Sequence, residues 1–507
     1  MHVSMHEDRC DLSQVAQTLK TFLSKGVNMK RRNIQQGICM LTIVGILAMC
    51  LVAFEHGTNA HAAATASTGS GATQVDGWPT YLYDSGHSGF NKLETAITTK
   101  TVKTLHQKWV QSAGGLISVQ PVEANGMVYW GGWSDGLERA TSLSGQQVWA
   151  TSVGVSPPAN CGTHTLGVAS TATIATETIN GTSKSVLYVG GGNVKFYALN
   201  AKTGAKIWVT PLGTKPDYFI WSSPEVYNGS VYIGLSSRGD CPLVRGELVQ
   251  MDAATGAIQH IFYTVPNNCV GASVWGSPTI DKATNTLYFV TGNGGSCSKP
   301  EPYGIAIVEL HTSDLSFVDS WQVPSSQVGT DSDFGTTPTL FKATINGVST
   351  LLVGAPNKNG IYYTFKRDAL SKGPVWETTI AIGGYCPQCG DGSISPSAWD
   401  ATTLYAGGGN ATIKGASCAG SLNALNPATG GFIWKDCFHD GPVVAAVSAV
   451  PGVVFAGEGS HLVAVNAATG KVIFNFDTGA QIYGAPSVSG GVLYFSSTNN
   501  TLYAYVP

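Results

Sequence analysis

Apolar and polar positions alternate along this chain in short runs, separated by turns rich in Gly, Asn, Asp and Thr. The period is two, the signature of half-buried strands, and after the N-terminus no sustained helical spacing appears. Val274–Ser296 shows the unit most fully. Gly276–Ile280 reads as a short strand entered through Ser277-Pro278, Asp281–Thr286 as a polar turn, and Leu287–Thr291 as a second strand leaving through Gly292-Asn293-Gly294-Gly295. This copy alone carries both a Trp at its start, Trp275, and an Asn at its exit, Asn293.

The same strand–turn–strand sentence recurs at Pro121–Tyr129, Thr171–Tyr188, Pro224–Tyr232, Pro278–Tyr288, Pro338–Leu352, Pro396–Tyr405, Val447–Phe455 and Pro486–Tyr494. A second sentence follows it, a tight turn and then a strand bearing an aromatic residue. Leu199-Asn-Ala-Lys-Thr-Gly-Ala-Lys-Ile-Trp208 and Leu425-Asn-Pro-Ala-Thr-Gly-Gly-Phe-Ile-Trp434 are its clearest forms. Gly fits the left-handed position of such a turn, and the Trp is placed to dock on the neighbouring unit. Eight copies of about four strands each predict one closed eight-bladed β-propeller, an all-β fold. The chain ends match this. Leu105–Val110 is a Trp strand with no unit before it, Leu502–Tyr505 ends a unit with no Trp strand after it, and joined they complete the eighth blade.

The first 62 residues lie outside this pattern and are predicted as leader and signal peptide. Lys30-Arg31-Arg32, the apolar run Ile38–Phe54 and Ala60-His61-Ala62 form a charged region, a hydrophobic region and a small-residue cleavage site. Residues 63–76 are Ala-, Thr-, Ser- and Gly-rich and read as a flexible linker, leaving 77–507 for the propeller. The expected location is therefore outside the cytoplasm, secreted or at the cell envelope.

Charge narrows the partners. With a net charge of −3 and no basic face apparent, the chain is not expected to bind nucleic acid. Eight cysteines follow the leader, an even number that suits disulfides in an exported protein. Cys418 and Cys437 bracket a predicted hairpin and are expected to bridge it. Cys386-Pro-Gln-Cys389 has no second Cys pair and no following His, so a local loop disulfide is favoured over zinc or haem.

The Ala-x-Asn/Asp-x-x-Thr-Gly-x-x-x-Trp repeat, with the opening Trp78-Pro79…Asp84-Ser-Gly-His-Ser-Gly-Phe90-Asn91, resembles the propeller of pyrroloquinoline quinone (PQQ) enzymes over the whole of 77–507. The chain resembles the quinoprotein alcohol dehydrogenases of this group, and its loops resemble those of polyvinyl-alcohol dehydrogenases. It implies that Trp275 is the floor on which the cofactor ring lies and that Asn293 is a calcium ligand. Ser236-Ser237-Arg238-Gly239-Asp240 resembles the segment supplying a cofactor-contacting Ser, here Ser237, and a carboxylate metal ligand, here Asp240 where the family has Glu. Asp331-Ser332-Asp333 resembles the segment of the catalytic Asp, the second carboxylate serving as a further metal ligand, and Lys358 matches the cation that contacts the quinone oxygens. The Cys161–Gly167 segment departs from the family. Cys161 stands alone where an adjacent Cys pair is usual, and Leu166 falls where an Arg is expected, with His164 as the candidate substitute.

The chemistry implied is oxidation of an alcohol, small or polymeric, by hydride transfer to PQQ bound to calcium or a lanthanide, with Asp331 or Asp333 as base. A separate electron acceptor is implied as well. A non-catalytic propeller acting as a binding scaffold at the cell envelope shares the repeat and is the alternative reading.

Overall fold

The computed structural model describes residues 77–159, 162, 164–295 and 297–507. The predicted leader, signal and linker lie outside the described residues, as does Cys161. The chain divides into Met1–Gly69 and Ser70–Pro507, and the second unit is the propeller.

Eight antiparallel sheets follow one another along the chain. The inner strands of blades 1 to 8 begin at Val122, Thr173, Glu225, Thr279, Thr339, Ala398, Ser448 and Ser487. Blade 8 takes its fourth strand from the other end of the described chain. His106–Ser112 pairs antiparallel with Thr501–Val506, setting Trp109 opposite Ala504, so the ring closes as the two partial ends predicted. An additional short hairpin, Ala411–Ile413 with Ala416–Cys418, projects from blade 6. The Cys418–Cys437 disulfide ties it to that blade's last strand, and Cys386–Cys389 closes its own loop; both pairings match expectation. Cys269–Cys297 forms a third bond, which the sequence did not indicate.

The turn-and-Trp repeat is a docking device between blades. The indole N–H groups of Trp109, Trp149, Trp208, Trp376 and Trp434 each donate to a turn carbonyl of the next blade, those of Leu143, Ala201, Ala253, Pro427 and Ala467, at 2.8–3.0 Å. The turn glycine answers this contact twice. Gly204 has φ +71°, where a Cβ is strained, and a Cβ there would also meet the Trp149 ring at 2.7 Å. Turn and Trp therefore constrain each other across the seam, which is why they recur together.

A second ring of contacts lies nearer the axis. Backbone N–H groups of Gln120, Thr171, Ser223 and Ser277 donate to hydroxyls of Thr171, Ser223, Ser277 and Thr337, each on the following blade. Ser487 closes the circle by donating to the Pro121 carbonyl. The pairs Ser223-Pro224, Ser277-Pro278 and Thr337-Pro338 thus each place a hydroxyl at an inner seam.

Residues 77–91 span one end of the channel and engage every blade. Gly77–Trp78 pairs with blade 1. The Pro79, Ser85, Gly86 and Ser88 carbonyls then accept from Ile174, Ile280, Leu340 and Trp399, and Gly89 from Ala449. His87 reaches Glu225 of blade 3, and Asn91 reaches the Val488 carbonyl of blade 8.

Candidate functional site

The opposite end of the channel carries the chemistry. Trp275 and Thr279 belong to one short stretch of blade 4, Thr279 opening its inner strand and Trp275 standing four positions before it. Thr279 meets the N-terminal segment through His87. Trp275 instead forms a wall shared by two cavities. The axial one, about 240 Å³, has Tyr81, Trp133, Trp221 and Tyr483 among its aromatic walls. The off-axis one, about 250 Å³, is lined by Ser237, Arg238 and Asp240 from blade 3, Trp275 and Asn293 from blade 4, Asp333 from the segment entering blade 5, and Lys358 from the turn between that blade's second and third strands.

Glycines hold the indole in place. A Cβ on Gly335 would lie 2.2 Å from Trp275 Cη2, and one on Gly276 would lie 1.8 Å from the Thr336 carbonyl oxygen. The indole therefore rests where only a bare backbone fits. Beside it stands a polar cluster. The Asn293 amide donates to Asp331 Oδ1 at 2.7 Å, and its backbone N–H donates to Asp333 Oδ1. Lys358 Nζ bridges both carboxylates, at 2.8 Å from Asp331 Oδ2 and 2.9 Å from Asp333 Oδ2, and lies 5.2 Å from the Trp275 ring centre. Burial pushes the Asp333 carboxyl above its ordinary range and the Asp331 charge adds to this, while Lys358 and the Asn293 N–H oppose it. Burial works to lower the Lys358 pKa, but Asp333 and Asp331 outweigh it and the net direction is upward.

This donor set suits a hard cation. Two half-buried carboxylates share one ammonium, so the cluster offers more oxygen acceptors than the lysine can engage. The Asn293 NH₂ is committed to Asp331, so its Oδ1, approached only by the Ser332 N–H at 3.4 Å among the described contacts, is available as a ligand. Oxygen donors of this kind match calcium and its larger-charge analogues.

Of the residues singled out in the sequence, Ser237, Asp240, Trp275, Asn293, Asp333 and Lys358 line one cavity. Asp331 joins through Asn293 and Lys358. Asp240 is exposed and makes no hydrogen bond or ion pair to the cluster among the described residues. His164 is exposed and does not line the cavity; its backbone carbonyl, rather than its ring, accepts from Arg238. Reasoning from sequence missed Arg238 and Trp221. Arg238 stood inside the quoted Ser237–Asp240 segment, and its burial was the signal that sequence does not carry.

Known proteins bear on this geometry. The family described as outer membrane protein assembly factor BamB matches residues 96–218, 134–393 and 419–506. A polyvinylalcohol dehydrogenase of Sphingopyxis sp. (strain 113P3) is 26% identical over 62% of this chain and 58% of its own length. A quinohemoprotein alcohol dehydrogenase of Comamonas testosteroni is 27% identical over 50% of this chain and 40% of its own. The chain thus spans about half the length of the curated relatives it matches. The crystal structure of the Comamonas testosteroni enzyme superposes with a TM-score of 0.68 at 20% identity, over 86% of this chain and 81% of that one. A europium-containing methanol dehydrogenase does so at 0.67 and 16%, over 85% and 98%, and both likenesses establish the propeller. Matching family repeats cover most of the sequence, and the chain belongs to the PQQ-repeat propeller family that includes the assembly factor BamB.

Proposed function

We propose that this propeller is an exported quinoprotein dehydrogenase that oxidises an alcohol. The observation that carries the reading is that Asn293, Asp333 and Lys358 line one cavity with the Trp275 ring, with Asp331 bonded to Asn293 and Lys358 behind them. A repeat scaffold has no need to bury two carboxylates and a lysine at one end of its channel. The names of the relatives, alcohol and polyvinylalcohol dehydrogenases, support the substrate class.

PQQ and a calcium or lanthanide ion would supply the hydride acceptor and the Lewis acid that polarises it. Trp275 fixes the plane of a flat ligand. Asn293 Oδ1 and the carboxylates of Asp331 and Asp240 would be the cation's oxygen donors. Asp333, which lines the cavity where Asp331 does not, takes the hydroxyl proton of the substrate at its carboxylate. The Lys358 ammonium holds both carboxylates in position and stabilises negative charge that develops nearby. Electrons would leave to a separate acceptor; Cys386 and Cys389 are disulfide-bonded, and Gly390 follows them where a haem attachment motif has His. The disulfides Cys269–Cys297 and Cys418–Cys437 suit an oxidising, extracytoplasmic location.

The test is reconstitution with PQQ and calcium, followed by dye reduction with primary, secondary and polymeric alcohols. Alcohol-dependent reduction that disappears with EDTA is expected. A folded protein that never reduces the dye under any of these conditions would leave the envelope scaffold as the reading.

A further inference from the structure

The cavity holds two cations that differ in one respect. Lys358 is matched by two carboxylates. Arg238 is only 7% exposed and has no carboxylate at ion-pair distance among the described residues. Its guanidinium donates to the backbone carbonyls of Pro157 and His164, which uses two of five N–H donors and cancels none of the charge. A buried guanidinium without a counter-ion is costly, and a cavity wall is where an incoming anion would relieve that cost.

The adjacent hydroxyl points to the same chemistry. Ser237 Oγ accepts from the Val244 N–H at 2.9 Å and from the Ser273 hydroxyl at 3.2 Å. Its own proton therefore remains for a ligand in the cavity that Ser237, Ser273 and Arg238 all line. A fork of N–H donors beside a hydroxyl donor is the arrangement that binds a carboxylate.

We propose that Arg238, assisted by Ser237, is the carboxylate anchor of this cavity and orients an acidic planar ligand with its acid group towards blade 3. The reacting end then faces Asn293, Asp333 and Lys358, on the blade 4 and blade 5 side. This rests on the quinone-binding reading and deepens it. PQQ bears three carboxylates, and Leu166 stands where the family would supply an Arg for one of them. Arg238 fills that need from a different blade.

The experiment is equilibrium titration of the calcium-loaded protein, followed by tryptophan fluorescence, with PQQ and with its trimethyl ester. Wild type, Arg238→Gln and Arg238→Lys are compared. Losing a charge-assisted pair should weaken PQQ binding to Arg238→Gln about 10- to 100-fold. Ester binding should change little, and Arg238→Lys should recover part of the loss. Equal weakening of acid and ester would make Arg238 a mere support for the 157–164 loop and overturn the inference. Equal affinity of wild type and Arg238→Gln for PQQ would overturn it while leaving the quinone reading intact. Failure of wild type to bind PQQ would overturn both.

Discussion

The two ends of the channel bury charge in opposite ways. At the end spanned by residues 77–91, His87 is fully buried between Thr279, 2.7 Å from Nδ1, and Glu225, 3.1 Å from Nε2. The Thr279 hydroxyl donates to the Pro338 carbonyl, which leaves its oxygen to face the imidazole. The charged pair there is satisfied inside the protein. At the other end Lys358 is outnumbered by carboxylates and Arg238 has none. One end is built for cohesion, whereas the other leaves charge for something else to complete.

Breaking the open end should cost function and little stability. Asp333→Asn keeps the shape but removes the proposed base, so turnover of the PQQ- and calcium-loaded protein should fall ~10²–10⁴-fold. Its melting temperature should hold or rise, because the cost of burying the Asp333 charge is removed, and with it the crowding by Asp331. A variant that melts early and keeps its turnover would invert the comparison.

Breaking the sealed end should do the reverse. Glu225→Ala leaves His87 without its buried partner, at a cost of roughly 3–5 kcal/mol in urea unfolding. The folded fraction should bind PQQ as wild type does. Weakened binding in that fraction would show the two ends to be coupled.

A smaller change sharpens the role of the wall between the cavities. Gly335→Ala places a methyl where the Trp275 ring lies, 2.2 Å from Cη2. The indole must tilt, and PQQ affinity should drop about 10-fold for the loss of a fitted aromatic face, while far-UV circular dichroism is unchanged. Retained affinity would show that the ring is not the platform.

The smallest effect concerns pH. Glu138 is the second residue of the third strand of blade 1, paired with Gly131, and neither carboxylate oxygen has a hydrogen-bond partner among the described residues. Burial pushes it from 4.5 up to about 8, against the pull of Arg139. Below 4.5 it is neutral in both states; as pH rises from there to about 8 the unfolded chain ionises while the folded one keeps its proton. Stability should therefore fall across that window, and Glu138→Gln should flatten the decline. Parallel pH curves for the two proteins would place the cause elsewhere.

The contrast also explains what could be read from sequence. Blades were legible because each turn glycine and each docking Trp answer one another, as Gly204 and Trp149 do, so the pair recurs at fixed spacing. Closure was legible because Leu105–Val110 and Leu502–Tyr505 are each half of a unit. The reach of residues 77–91 around all eight blades was not, because most of it is made by backbone carbonyls that leave no residue pattern. Segments carrying Trp275, Asn293, Asp331, Asp333 and Lys358 stood out by chemical type and order. Arg238 did not, because an Arg in a Gly-Asp loop reads as solvated until its burial is known. The Cys269–Cys297 pairing needed the fold to bring two loops of neighbouring segments together.

The most direct test of the quinoprotein reading is a crystal structure of the protein soaked with PQQ and calcium, with anomalous data to locate the cation. The account predicts a planar ligand against Trp275 and a cation about 2.3–2.6 Å from Asn293 Oδ1 and from carboxylate oxygens of the Asp331, Asp333 and Asp240 group. An empty cavity, or a ligand held elsewhere with Lys358 still bridging Asp331 and Asp333, would contradict it.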